Sequence, residues 1–206
     1  MKHREFFKIE IALLMALVIT VLSSLTGFAR NCEKISDSVL RLHVIANSDT
    51  EEDQQLKLKV RDAILEKGKD IFDGSVTRDE AKARIEPNIA QLEETAKKVI
   101  EENGFDYDVK ITVTEEYFAT RVYEEQNITL PAGRYMAVRA VIGEGNGHNW
   151  WCIMFPPLCL PAAEGEVEID SVLDEEQMKI VQKSPKYEPR FKIIEWYQRL
   201  AEKFDK

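Results

Sequence analysis

Val39-Leu40-Arg41-Leu42-His43-Val44-Ile45-Ala46 runs directly into Asn47-Ser48-Asp49-Thr50. The first eight residues alternate so that Leu40, Leu42, Val44 and Ala46 share one face, which predicts a strand. The next four carry short polar side chains that accept hydrogen bonds from the free N–H groups of a first helical turn. Ser48-x-x-Glu51 and Thr50-x-x-Asp53 both have capping-box spacing. A helix is therefore predicted from here, with Leu56, Val60, Ala63 and Ile64 as its buried stripe and Gly68 at its end.

Working toward the C-terminus, Thr77-Arg78-Asp79-Glu80 is another capping box, and the helix it starts carries Ala81 and Ile85 until Pro87 interrupts it. Ile89, Leu92, Ala96, Val99 and Ile100 then repeat at helical spacing up to Asn103-Gly104. Beyond that the period changes to two. Tyr107–Thr114 and Tyr135–Ile142 read as strands, Phe118–Tyr123 as a further candidate, and Trp150–Phe155 as the partner of Tyr135–Ile142. The connecting Gly143-Glu144-Gly145-Asn146-Gly147-His148 contains Asn-Gly, which predicts a tight hairpin.

The order of strand, helices and then several strands predicts an α+β fold, a mostly antiparallel sheet with two or three helices packed on one face. Val172, Met178, Ile180 and Val181 could make a short helix, and Phe191, Ile194, Trp196, Tyr197, Leu200 and Phe204 mark a last amphipathic one. The expected organisation is a targeting segment over residues 1–29, an α+β domain over 38–160, and an acidic linker with a C-terminal helical extension over 161–206. Residues 30–37 read as a linker.

Working toward the N-terminus, Ile11–Ala29 holds nineteen residues without a charge, preceded by Lys2, Arg4 and Lys8 and closed by the small residues Gly27 and Ala29. A basic start, an apolar middle and an A-x-A-like end describe a secretory signal peptide. An uncleaved membrane anchor has nearly the same length. Either reading places residues 30–206 outside the cytosol. Membrane contact is expected only through this segment.

The chain has 206 residues, 44% hydrophobic and 32% charged, with a formal net charge of −9. Cleavage after Ala29 would leave 177 residues at −10. Such acidity argues against nucleic-acid binding, which needs a cationic footprint. There are three cysteines, Cys32, Cys152 and Cys159. Outside the cytosol a pair tends to oxidise, and the stiff Pro156-Pro157 turn favours Cys152 with Cys159. Buried thiols or a link from Cys32 are the alternatives.

No catalytic set emerges. Gly-x-Gly-x-Gly over 143–147 lacks the Gly-Lys-Ser/Thr end and the following helix of a phosphate cradle. His43, His148, Cys152 and Cys159 have no zinc spacing, so neither metal nor cofactor is expected, and His43 and His148 read as strand-surface and turn residues. Without Gly-x-Ser-x-Gly and with few histidines, no enzyme is expected. The unusual stretch is His148-Asn149-Trp150-Trp151-Cys152-Ile153-Met154-Phe155-Pro156-Pro157. Adjacent tryptophans on a strand point to opposite faces, so one is left for a contact surface or for a covering helix. His148, Asn149, Trp150, Trp151, Phe155, Pro156 and Pro157 are the candidate contact residues, with Trp151 foremost. Arg41, Asn47 and Asp49 form a second candidate patch, although Asp49 reads first as a helix cap.

Three stretches resemble the stage II sporulation protein R family of endospore-forming bacteria. They are Leu40–Asp49 with Gln54-Gln55-Leu56-Lys57 and Val60-Arg61-Asp62-Ala63; Leu130-Pro131-Ala132-Gly133-x-Tyr135; and Asn149-Trp150-Trp151-Cys152-x-x-Phe155-Pro156-Pro157-Leu158-Cys159. Ala119 and Arg134 depart from the family's pattern. The resemblance implies a signal secreted from the forespore into the space between forespore and mother cell. Its partner there would be a membrane-embedded aspartic protease of the mother cell, which processes the precursor of the mother-cell sigma factor. The competing expectation is a cell-envelope carbohydrate-binding module or hydrolase that stacks the Trp pair on sugars.

Overall fold

Strand β1 (Leu40–Ile45) is buried along its whole length, on both faces. It lies inside a four-stranded sheet of order β2-β5-β1-β6, with one hydrophobic core packed on each face. The computed structural model describes residues 2–72, 75, 77–124, 127–157, 169–182, 191–193 and 195–196. Around β1 it places α1 (Lys2–Ser38), α2 (Glu51–Phe72), α3 (Arg78–Ile85), a 3₁₀ turn (Glu86–Asn88), α4 (Ile89–Glu102), β2 (Val109–Phe118), β3 (Arg121–Tyr123), β4 (Ile128–Leu130), β5 (Gly133–Ile142), β6 (Asn149–Phe155), α5 (Ile169–Val172) and α6 (Glu175–Val181).

The fold is α+β, and its four-stranded sheet has two antiparallel ladders and one parallel one. β2 pairs antiparallel with β5, β1 antiparallel with β6, and β1 parallel with β5, setting Arg41 opposite Ala137 and Val44 opposite Ala140. A small separate hairpin joins β3 to β4. The expected β5–β6 hairpin is absent, because β1 lies between those two strands. An apolar strand buried on both faces needs a neighbour on each side. Residues 143–148 instead cross the end of β1, where Asn146 N–H donates to the Asn47 carbonyl at 3.0 Å and Gly147 N–H to the Ala46 carbonyl at 2.9 Å. A Cβ at Gly147 would collide with the Ser48 carbonyl.

The main core forms where α2, α3 and α4 cover one face. Leu56, Val60 and Ile64, Ala81 and Ile85, and Leu92, Ala96 and Ile100 pack on Leu40, Leu42, Val44, Val138, Ala140 and Met154. The local signals act as read: the Thr77 side chain accepts from Glu80 N–H, and Pro87 sits in the turn between α3 and α4. α2 differs, passing Gly68 to reach Phe72 because Ile71 still has core to pack on.

The opposite face carries a second core, built from Phe118, Ile128, Leu130, Tyr135 and Ile153 with Ile35 and Val39, and with Ile169, Leu173 and Val181 from the α5–α6 region. The expected linker over 30–37 is helical and continuous with α1. Nothing in 28–38 breaks a helix, and Phe28, Cys32 and Ile35 fall at i, i+4 and i+7 with their side chains buried. Upstream of this the helix is apolar and exposed, and Lys8–Ser38 is long and apolar enough to cross a membrane. A capping box at Asp174 starts α6. Of the expected last helix, 191–193 and 195–196 are helical, with Phe191 packed edge-on against Phe28; Ile194, Tyr197, Leu200 and Phe204 lie outside the described residues.

Candidate functional site

Most of the expected contact residues fall in two neighbouring groups, one at the tip where β1 passes into α2 and one on the sheet face beneath it. At the tip, Thr50 caps α2, its hydroxyl accepting from Asp53 N–H at 3.3 Å. The Asp53 carboxylate turns back and accepts from Ser48 Oγ at 2.6 Å and Asn47 Nδ2 at 2.9 Å. Burial pushes the Asp53 carboxyl up, but hydrogen bonds from Ser48, Asn47 and Tyr107 outweigh it and hold the group below its ordinary value. Asn47 also accepts from Glu144 N–H at 3.0 Å, and so fastens the 143–148 loop to the start of α2.

With Thr50 as the cap, Asp49 is released from the capping role expected of it. Its carboxylate accepts from His148 N–H at 2.6 Å and meets His148 Nδ1 at 2.5 Å. The His148 side chain is 78% exposed. Beneath it the nearly buried Lys57 donates to the His148 carbonyl at 2.9 Å and to Gln54 Oε1 at 2.6 Å. Burial lowers the Lys57 pKa, partly opposed by Asp49 and reinforced by Arg61. Trp150 is 37% exposed, with the Arg61 guanidinium 4.3 Å from its ring centroid.

On the sheet face, His43 is 6% exposed, which corrects its expected place on a strand surface. Phe118, Trp151 and Glu116, from β2 and β6, lie against the ring, on a face covered by the second core. His43 Nδ1 lies 2.7 Å from Glu116 Oε2, and Nε2 lies 2.8 Å from Asn149 Oδ1. Arg139 approaches the other Glu116 oxygen at 3.3 Å. Trp151 stacks on the His43 ring at 3.7 Å, with Phe118 edge-on to it at 4.9 Å.

Arg41 is fully buried beside this row, its guanidinium 3.9 Å from the Phe118 centroid and 4.9 Å from that of Tyr135. Its Nη2 donates to Tyr123 Oη at 2.7 Å.

Phe155, Pro156 and Pro157 are buried at the far end of β6, away from the tip, so the structure does not offer them as a surface. The strand that presents Trp150 at its start runs into the main core at its end. Arg41 is likewise covered. Trp151, expected foremost, is half-buried, and Trp150 is the more exposed of the pair. Cys152 is buried, Cys32 is a free buried thiol, and Cys159 lies outside the described residues. Glu116 and Arg139 carry no local sequence signal, and Lys57, Arg61 and Tyr123 stand in family-like stretches without a contact role that the sequence shows, since each meets its partner through strand register or helix packing.

A His–carboxylate pair can serve as a base, but here Nε2 is taken by Asn149, and none of the described hydrogen bonds joins His43 to a Ser, Thr or Cys. Among the described residues no group of three or more His, Cys, Asp or Glu is placed to hold a metal ion. What the tip offers is recognition, an exposed aromatic ring flanked by a guanidinium and an imidazole–carboxylate pair.

Over 133 residues the chain is 35% identical to Stage II sporulation protein R of Bacillus subtilis (strain 168), covering 64% of this chain and 58% of that protein. No solved structure matches it. The family model described as Stage II sporulation protein R matches residues 36–164, which contain β1 through β6, the tip and the sheet-face row, and the chain belongs to that family.

Proposed function

We propose that this sporulation protein is a secreted, non-enzymatic signal, delivered to the space between forespore and mother cell, that activates a membrane-embedded aspartic protease to process the precursor of the mother-cell sigma factor. Family membership supports the setting. The apolar stretch of α1 supports passage to, or tethering at, the far side of a membrane. In this reading residues 1–29 are the signal peptide or anchor and 38–160 the signalling domain, with a Cys152–Cys159 disulfide suited to an oxidising compartment.

The observation that carries the contact surface is the exposure of Trp150 and His148 together at one tip, on a backbone fixed by Asn47, Asp49 and Lys57. An exposed Trp beside an Arg on a rigid frame has the composition of a binding hot spot. The test is a deletion strain complemented with Trp150→Ala, followed for precursor cleavage and for accumulation of the exported protein. Loss of cleavage at normal accumulation is expected. Normal cleavage removes the tip from the mechanism. Retention of the native protein on purified peptidoglycan, with no binding to the protease ectodomain, replaces the activator reading by a sugar-binding one.

A further inference from the structure

Arg41 presents a charge with no counter-ion among the described residues. It is fully buried, yet its Nε and Nη1 have no hydrogen-bond partner, and its one described bond goes to the neutral hydroxyl of Tyr123. Flanking rings satisfy a cation only in part, and a buried guanidinium ordinarily has a carboxylate. The nearby carboxylate of Glu116 is committed to His43 and Arg139. Arg41 forms part of the wall of a pocket lined also by Tyr117, Phe118, Thr120, Arg121 and Trp151. Among the described residues no acid is in that lining, although the chain carries 37 acids against 28 basic residues. Arg121 is exposed at the same pocket and has no ion-pair partner among the described residues.

We infer that this pocket is a receptor site for a single carboxylate group, which would neutralise Arg41 and be drawn in by Arg121. The charge sets the class. One carboxylate balances the one buried cation, whereas a phosphate, at roughly −1.5 to −2, would carry uncompensated charge inward. The aromatic walls of Phe118 and Trp151 leave room for a small flat group. The inference stands apart from the activator reading, since the pocket binds a carboxylate whatever the larger partner is.

The test uses the full-length chain in detergent micelles, titrated with sodium acetate against sodium chloride at matched ionic strength, with melting temperature and tryptophan fluorescence as readouts. Acetate is expected to raise the melting temperature and change the fluorescence saturably, and chloride to do neither. Arg41→Met, which preserves much of the side chain's bulk, abolishes the acetate response. Should that variant fail to fold, Arg121→Gln at the exposed rim raises the half-saturating acetate concentration by about two- to five-fold. Identical acetate and chloride curves for the native protein, or an acetate response unchanged in Arg121→Gln and in any folded Arg41→Met, overturn the site. A capped Glu-containing tripeptide compared with its Gln counterpart separates the sources. Tighter binding of the Glu peptide than of acetate assigns a protein side chain as the ligand, and equal binding assigns a free small carboxylate.

Discussion

The ring of Trp151 lies almost flat on the ring of His43, with centroids 3.7 Å and planes 21° apart. The two face each other across the β1–β6 ladder, and Trp151 reaches on to Phe118. Trp151 is thus part of the second core and Trp150 part of the surface. Trp151→Ala should cost about 2–4 kcal/mol of unfolding free energy, toward the low end of large-to-small core changes because the ring is half-buried. Trp150→Ala should cost about 1 kcal/mol or less, for a partly exposed ring and its Arg61 contact. Urea denaturation of the two variants checks the order; a larger loss from Trp150→Ala would contradict it.

Gly147 is where the 143–148 loop touches the chain entering α2. Its missing side chain leaves room for the Ser48 carbonyl, and its N–H donates to Ala46. Gly147→Ala must push backbone against backbone, with an expected cost of roughly 2 kcal/mol or more. Gly104, with φ +82° and open space around it, is the comparison. Gly104→Ala suffers only backbone strain, of about 1 kcal/mol. Thermal melts of the pair separate collision from strain.

Asp53 ties the tip to acidity. Its folded pKa is below the unfolded value, so the stabilisation it supplies is present above the unfolded carboxylate pKa, about 4, and is lost as pH falls through the folded value. Asp53→Asn should therefore lower stability at pH 7 by roughly 1–2 kcal/mol, the worth of hydrogen bonds to a charged group. The gap from the parent protein should narrow toward pH 3. Denaturation curves at both pH values provide the check, and a gap independent of pH would show that another group carries the effect.

Asp49 and His148 are both exposed, so their pairing adds little to global stability and more to local order. Asp49→Ala is expected to change unfolding free energy by less than about 1 kcal/mol. The same change should accelerate amide exchange at His148, whose N–H loses its acceptor. Hydrogen-exchange rates at His148 and at the neighbouring Gly147 provide the measurement.

Legibility in the sequence followed the range of the interaction. The starts of α2 and α3 and the break at Pro87 were readable because capping side chains and proline act within a few residues. The Asn146-Gly147 signal misled for the same reason: it reports a turn, and whether the flanking strands pair depends on β1, about a hundred residues earlier. Alternation assigns one side of a strand to water and so puts His43 on a surface, whereas the cores on both faces of the sheet bury both sides of β1. At the site, the Asn149–Trp151 stretch stands out by its rare composition. The choice between its two tryptophans depended on register with β1, which no local pattern encodes.

The parallel pairing of β1 with β5 also governs when the domain can form. β1 leaves the N-terminal helix as the first strand of the chain, and its two neighbours end at Ile142 and Phe155. Helices α2 to α4 are made in between, with their apolar faces lacking the sheet they cover. A chain threaded through a membrane from its N-terminus thus stays open until almost the whole domain has emerged. High contact order slows folding, and under the export proposed above it would keep the polypeptide slack while it crosses the membrane.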